Sequence, residues 1–230
     1  MKEALIVPDV HGRSFWHPAL DYAGDVVFLG DYVDPYPQEG ISEEQGYEEL
    51  LKIVDFKKQN SERVTLLVGN HELHYYNKGY QCSRFSAEYY PKIHEILTGD
   101  ETKGLFQLCK QEENFLFIHA GLLKGWYKKH YKAFAPLGNT LEEQLNRLFE
   151  VDQAAFFEVS FERGGWDAYG SPLWADIHEH LKEKEPFDSS ITQVIGHTQI
   201  PGDAYMKGNH FRLIDNRKLY MLKDGEIIDK

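Results

Sequence analysis

Six side chains in this 230-residue sequence have the types and the spacing to hold metal. Each stands just after a short apolar run. Val64–Val68 leads into Gly69 and then Asn70-His71-Glu72. Ala4–Val7 leads into Pro8-Asp9-Val10-His11, and Asp25–Leu29 into Gly30-Asp31-Tyr32-Val33-Asp34. Asn114–Ile118 leads into His119, and Val194-Ile195 into Gly196-His197. An amide oxygen, an imidazole and a carboxylate can ligate metal, transfer protons and orient one another. Asp9, His11, Asp31, Asn70, His119 and His197 form a mixed nitrogen and oxygen set that suits Mn, with Fe or Zn as alternatives. Six ligands exceed what one catalytic ion with an open position takes, so two divalent ions are expected. Phosphoester chemistry uses such a pair at a separation of about 3.5–4 Å. Asp31, the carboxylate in the middle of the set, is expected to bridge the two. The pair would acidify a bridging water into the nucleophile and hold the phosphoryl oxygens.

The elements that must position these residues are strands. Five runs of strand composition each end at one of them. In open α/β sheets, sites lie beyond the carboxyl ends of the strands, so the five ends are expected to converge. Pro8 has no N–H to give a ladder and should end the first strand, while Gly69 lets the chain turn after the third. Asp9 and His11, two apart, point the same way if the backbone is extended. Ser42 opens a helix with Gln45 completing a capping box; Tyr47, Leu50, Leu51 and Val54 mark its apolar face, and Gln59-Asn60 ends it. Ser86–Leu97 reads as a helix disturbed by Pro91, Leu105–Lys110 as a short helix, and Thr140–Glu150 as a helix with a Thr140…Glu143 box. Asp152–Val159 reads as another helix. Phe211–Ile214 and Lys218–Leu222 read as a closing strand pair. No linker, low-complexity run or repeat interrupts the chain. One domain spanning 1–230 is expected, with a helical and loop insertion at about 122–192 covering the site.

Composition narrows the function. The net charge of −12 argues against nucleic acid, whose backbone is bound through Lys and Arg. At 42% hydrophobic and 14% aromatic residues the chain is globular rather than disordered. No apolar run reaches membrane-span length. Lys2-Glu3 leads straight into ALIV with Asp9 close behind, which reads as a first strand and not a signal peptide, so the cytoplasm is the expected compartment. Cys82 and Cys109 are too few for a disulfide framework and read as reduced thiols.

Five segments, PDVHG, GDYVD, GNHE, FIHAGL and GHTQ, in this order, resemble the phosphoprotein-phosphatase (serine/threonine phosphatase-like) branch of the calcineurin-like metallophosphoesterases. The likeness runs from Leu5 to Leu222 and takes in Leu173-Trp174-Ala175-Asp176 and the tail RLIDNRKLYML. It implies an α/β (α+β) fold, a four-layer αββα sandwich of two mixed β-sheets flanked by helices. It implies that Asp9, His11 and Asp31 hold one metal and Asp31, Asn70, His119 and His197 the other. His71 would be the general acid, oriented by Asp34. Pro8 stands where the family has Gly, and Pro35 where it has a phosphate-binding Arg. Arg13, Arg84 and Arg163 are the candidate replacements, with Arg163, beside Gly164-Gly165-Trp166, foremost. GHTQ lacks the extra His of the phosphodiesterase and nuclease branches, which favours phosphomonoester or phosphoanhydride chemistry. The expected activity is a di-metal phosphatase acting on a phosphorylated substrate, either phosphoprotein or a small phosphate ester or nucleotide. One rival is a dinucleoside-polyphosphate hydrolase, with Trp166 or Trp174 stacking a base. The other is a non-catalytic metal- or phosphate-binding module, which would have no need of the His71–Asp34 pair.

Overall fold

The computed structural model describes residues 3–77 and 82–230, and these fall into two compact units, Met1–Gln107 with Arg217–Lys230, and Leu108–Asn216. The first unit is built on a six-stranded mixed sheet. Its strands are β1 (Ala4–Val7), β2 (Asp25–Phe28), β3 (Val64–Leu67), β4 (Phe106–Gln107), β10 (Tyr220–Lys223) and β11 (Glu226–Asp229), in the order β11-β10-β1-β2-β3-β4. β1 to β4 run parallel, and β10 and β11 pair antiparallel. β1 is buried at every residue, as an apolar run in a parallel sheet covered on both faces must be.

Helix α1 (Glu43–Gln59) carries the chain from β2 to β3 and packs on β3. It starts where expected: Ser42 Oγ accepts from Gln45 N and Gln45 Oε1 accepts from Ser42 N. Its buried stripe is Leu50, Ile53, Val54 and Phe56, rotated from the expected face, and Leu51 is exposed. Each such side chain contributes about 1.5–3 kcal/mol on burial. Two short helices follow, α2 (Asn70–Tyr76) and α3 (Tyr90–Thr98). Pro91 does not disturb α3; it occupies the first turn, where the missing N–H has no partner to lose, and so helps open the helix.

The second unit has a five-stranded mixed sheet in the order β5-β6-β7-β9-β8, formed by β5 (Cys109–Glu112), β6 (Phe115–Ile118), β7 (Thr192–Ile195), β8 (Met206–Lys207) and β9 (Phe211–Leu213). β6, β7 and β9 are parallel, with β5 and β8 antiparallel at the edges. The long crossover from β6 to β7 holds α4 (Lys124–Phe134), α5 (Leu141–Val151) and α6 (Ile177–Lys182). The Thr140…Glu143 box opens α5 as expected. Trp126, Phe134 and Phe156 are fully buried and in ring contact in this crossover.

Three expectations are corrected here. Leu105–Lys110 is not a helix. Phe106-Gln107 add to the free side of β3 and Cys109 starts β5, where Asn146 Oδ1 accepts from Leu108 N and Cys109 N; tertiary pairing overrides local propensity. Asp152–Val159 contains a 3-10 turn, Gln153–Phe157, capped by the Asp152 carboxylate, in place of an α-helix. The two tail strands do not pair with each other. β9 pairs with β7 and β8, whereas β10 pairs with β1 and with β11. The β10–β11 hairpin turns at Asp224 (φ +49°) and Gly225 (φ +81°), the Asp-Gly pair that a two-residue turn between twisted strands demands. Among the described residues no helix is long and apolar enough to cross a membrane.

Candidate active site

In the first unit, three strand ends deliver the candidate side chains. Asp9 and His11 follow β1, Asp31 and Asp34 follow β2, and Asn70 and His71 open α2 directly after β3; all six are buried. Two glycines allow the β2 and β3 turns to touch. Gly30 has φ +109°, and a Cβ there would stand 2.5 Å from Gly69 N. A Cβ on Gly69 would run into the Asp31 carboxylate. Glu72 ties the same turns together and is not itself aimed outward. Its carboxylate accepts from Gly69 N at 2.9 Å, Asp31 N at 2.8 Å and Tyr32 N at 2.8 Å. Burial pushes Glu72 up to about 7, and the three N–H donors oppose it.

The β1 turn is not extended, so Asp9 and His11 are not aligned by strand alternation. His11 sits at φ +45°, with Val10 N and His11 N both donating to Asp31 O. That turn brings the His11 ring to the chain that follows β2. Nδ1 donates to Val33 O at 2.8 Å, which fixes the tautomer, and Nε2 lies 3.4 Å from Asp31 Oδ2. Burial, then the neighbouring His71, holds His11 well below the usual imidazole range. Neutral imidazole with its lone pair turned toward a carboxylate is the form that ligates a cation, so these residues fit a divalent metal. His11, Asp31 and His71 bring one donor atom each within 4.8 Å of one another.

His71 and Asp34 form the second arrangement. His71 Nδ1 donates to Asp34 Oδ2 at 2.7 Å, and the His71 backbone N–H donates to Asp31 Oδ1 at 3.0 Å. Tyr75, one turn further along α2, donates from its hydroxyl to Asp34 Oδ1 and accepts from Ser86 N. Burial pushes Asp34 up to about 7 against its Tyr75 and Cys82 hydrogen bonds. Burial, then Arg84, lowers His71. Both effects oppose a full ion pair and leave a single proton between Nδ1 and Oδ2.

The three candidate arginines go to three places. Arg13 is spent on Glu39, with Nε to Oε2 at 2.6 Å and Nη2 to Oε1 at 3.0 Å. Arg163, in the second unit, pairs with Asp176 Oδ2 at 2.7 Å and donates to the Thr198 hydroxyl. Arg84 donates from Nε to Asp34 O at 3.0 Å, lies 3.8 Å over the Tyr36 ring, and brings Nη2 to 3.2 Å from His71 Nε2. A guanidinium only donates, so His71 Nε2 accepts in this arrangement.

In the second unit, His119 follows β6 and His197 follows β7. His119 Nε2 and His197 Nδ1 face each other at 3.1 Å, and Gly196 N donates to His119 O, which holds the two strand ends in step. Two imidazole nitrogens at that distance share a proton or a cation.

Backbone strain marks the same residues. Of the eight described non-glycine residues with positive φ, five are His11, Asp31, Asp34, Arg84 and His197, at φ between +45° and +67°; the other three, Glu113, Arg217 and Asp224, lie outside the candidate set. Such conformations cost of order 1–3 kcal/mol each and persist where surrounding structure imposes them. Sequence reasoning did not single out Tyr75, Cys82 or Tyr36 for the site. Tyr75 had a signal, since it stands four residues after His71 and so on the same helix face. Cys82 and Tyr36 had none.

The calcineurin-like phosphoesterase family profile matches residues 5–213. A cold-active protein-tyrosine phosphatase of a psychrophilic Shewanella species has a similar fold, with a TM-score of 0.61 at 16% identity over 99% of this chain and 77% of that one. So does a protein serine/threonine phosphatase from Saccharomyces cerevisiae with similarity to human phosphatase PP5, with a TM-score of 0.55 at 13% identity over 99% of this chain and 80% of that one. No curated protein sequence matches the chain. With the family match running through both units and all five motifs, this chain belongs to the calcineurin-like phosphoesterases, a metal-dependent family.

Proposed function

We propose that this phosphoesterase is a phosphatase, hydrolysing phosphomonoesters whose leaving group needs a proton, of which the alkoxide of phosphoserine or phosphothreonine is the type case. The observation that carries the reading is the buried His71–Asp34 pair, at 2.7 Å, with Arg84 across the other face of the ring. A metal- or phosphate-binding module has no use for a positioned proton donor. The two structural neighbours named above are both called protein phosphatases, which supports phosphomonoesters as the substrate class.

Asp9, His11 and Asp31 would hold one divalent ion, and Asp31, Asn70, His119 and His197 the other, with Mn the first choice for a set of carboxylate, amide and imidazole donors. Two such ions supply charge against the phosphoryl oxygens and make the attacking water acidic.

The remaining work falls to side chains of the first unit. Once Arg84 leaves Nε2, His71 takes up a proton there from solvent, with the Asp34 carboxylate stabilising the imidazolium, and passes it to the departing oxygen. Asp34 fixes the ring through Nδ1, and Tyr75 fixes Asp34. Arg84 takes the part of the arginine absent at position 35, because its guanidinium is the one of the three that no carboxylate neutralises in the contacts above. In the observed arrangement Arg84 covers Nε2. Turning onto the phosphoryl oxygens would uncover Nε2 for protonation as substrate arrives, so the clamping movement also arms the acid.

A second reading, hydrolysis of dinucleoside polyphosphates, draws on Trp166, which is 87% exposed and in edge contact with the 68% exposed Phe161. That pair offers a face for a base. A side-by-side assay in Mn²⁺ with a phosphoserine peptide, a phosphotyrosine peptide, an aryl phosphate and a dinucleoside polyphosphate decides between them. Preference for the monoesters supports the proposal, and preference for the dinucleotide overturns it.

A further inference from the structure

Cys82 stands on the Nδ1 side of His71, opposite Arg84. Its Sγ lies 3.3 Å from His71 Nδ1 and 3.6 Å from Asp34 Oδ2, and these two atoms are 2.7 Å apart. A thiol, an imidazole nitrogen and a carboxylate oxygen thus form one small triangle. The geometry points to a third metal site there, formed by Asp34, His71 and Cys82, that takes a thiolate-seeking divalent ion such as Zn²⁺ and holds the enzyme inactive.

The triangle has the right size. With bonds of about 2.0 Å to N and O and about 2.3 Å to S, a tetrahedral zinc separates its donors by about 3.3–3.5 Å. Both edges to sulfur are within a few tenths of an ångström of that. The Nδ1–Oδ2 edge is shorter because a proton now fills it, and it opens when an ion replaces the proton. Binding sends the thiol proton to solvent and moves the shared proton from Nδ1 to Nε2, from which Arg84 withdraws, so that Nδ1 coordinates as neutral imidazole. The thiolate and the carboxylate then balance the two charges of the ion. One support is in place: Tyr75 donates to Asp34 Oδ1 and holds the carboxylate. Asp34 and His71 are buried, while Cys82 is only half-buried and gives the ion a way in from solvent. A sulfur ligand selects Zn²⁺ over Mn²⁺ or Mg²⁺, which prefer oxygen. An enzyme loaded with Mn²⁺ at its catalytic set would therefore still respond to Zn²⁺ at this one.

Binding at the triangle does not depend on what His71 does. Inhibition rests on the general-acid reading, because the ion occupies Nδ1 and breaks the pair with Asp34. The test adds Co²⁺ or Zn²⁺ to Mn²⁺-loaded wild type, Cys82→Ser, Cys82→Ala and Cys109→Ser. The expected result with Co²⁺ is a thiolate-to-cobalt charge-transfer absorption in wild type and Cys109→Ser that both Cys82 variants lack. The expected result with Zn²⁺ is that the Cys82 variants need at least about tenfold more ion for half-inhibition, as loss of one strong ligand requires. No thiolate band in wild type, or a band that survives in both Cys82 variants, overturns the site. A Cys82-dependent band with no loss of activity supports the site and refutes the acid role of His71.

Discussion

Replacing Arg84 by Ala separates the clamp from everything else in the site. The side chain is fixed at two points before substrate arrives, by its Nε donation to Asp34 O at 3.0 Å and by the Tyr36 ring 3.8 Å below it. What remains is the Nη edge, which faces His71 Nε2. A hydrogen bond between charged partners contributes about 1.5–3 kcal/mol. At about 1.4 kcal/mol per factor of ten, loss of the phosphoryl contact predicts a fall of about 10–150-fold in kcat/KM. Lys at 84 restores a charge but not the planar fork or the stack on Tyr36, and should recover only part of the loss. The lost stack costs about 0.5–1 kcal/mol of stability at a site this open, so the folded enzyme survives the change. Steady-state kinetics on an aryl phosphate, with inorganic phosphate as competitive inhibitor, reads both effects: kcat/KM falls and the phosphate inhibition constant rises together. Arg163→Ala, which gives up an ion pair with Asp176, should change the phosphate constant less. If Arg84→Ala keeps wild-type kinetics and phosphate affinity, Arg84 only braces Asp34 and the clamp reasoning is wrong.

Three further outcomes follow from the same geometry. Gly30→Ala should destabilise the protein by at least about 2 kcal/mol, from the strain of a positive φ together with a Cβ pressed on Gly69, and an unchanged unfolding midpoint would contradict the close approach of the two turns. His180 is buried with Nε2–H donating to Ala120 O, and burial pushes its pKa down to about 4. That folded value lies below the unfolded one, so the unfolded chain takes up the proton first; stability is whole above about pH 6.5 and falls by up to about 3 kcal/mol toward pH 4. His180→Gln should flatten that slope in denaturant titrations at pH 7 and pH 4.5, and an identical slope would remove His180 from the acid sensitivity. Asp31→Asn should lose both metal equivalents in metal analysis after Mn²⁺ loading, whereas loss of one alone would deny it the bridging role.

The strand ends were legible because each joins an apolar run to a glycine or a polar residue that a plain core strand has no reason to carry. The capping boxes at Ser42 and Thr140 were legible for a local reason too, since the two hydrogen bonds involve residues three apart. What was not legible depends on distant partners. Phe106-Gln107 become a strand because β3 has a free edge, not because of their own propensity. The tail divides between two sheets, which the alternation of its side chains cannot reveal. His11 and Asp31 were found by type, yet their left-handed backbone, which aims them, has no signature in residue identity. The fate of the arginines was equally hidden. Arg163 has the neighbours of a loop clamp, and only Asp176 and Thr198 show where its charge goes.

The central claim is that His71 gives a proton to the leaving group under the control of Asp34. General-acid help matters in proportion to the basicity of the leaving group, so the decisive measurement is the leaving-group dependence of His71→Asn. An alkyl phosphate, whose alkoxide cannot depart unprotonated, should lose about 10²–10⁴-fold in rate, while a nitrophenyl phosphate should lose clearly less. Asp34→Asn should move in the same direction by a smaller factor, since it removes orientation and leaves the donor in place. Metal content should stay at its wild-type value in both variants. If both esters fall by the same factor with the metals still bound, His71 acts on the phosphoryl group or the nucleophile, and the acid assignment is contradicted.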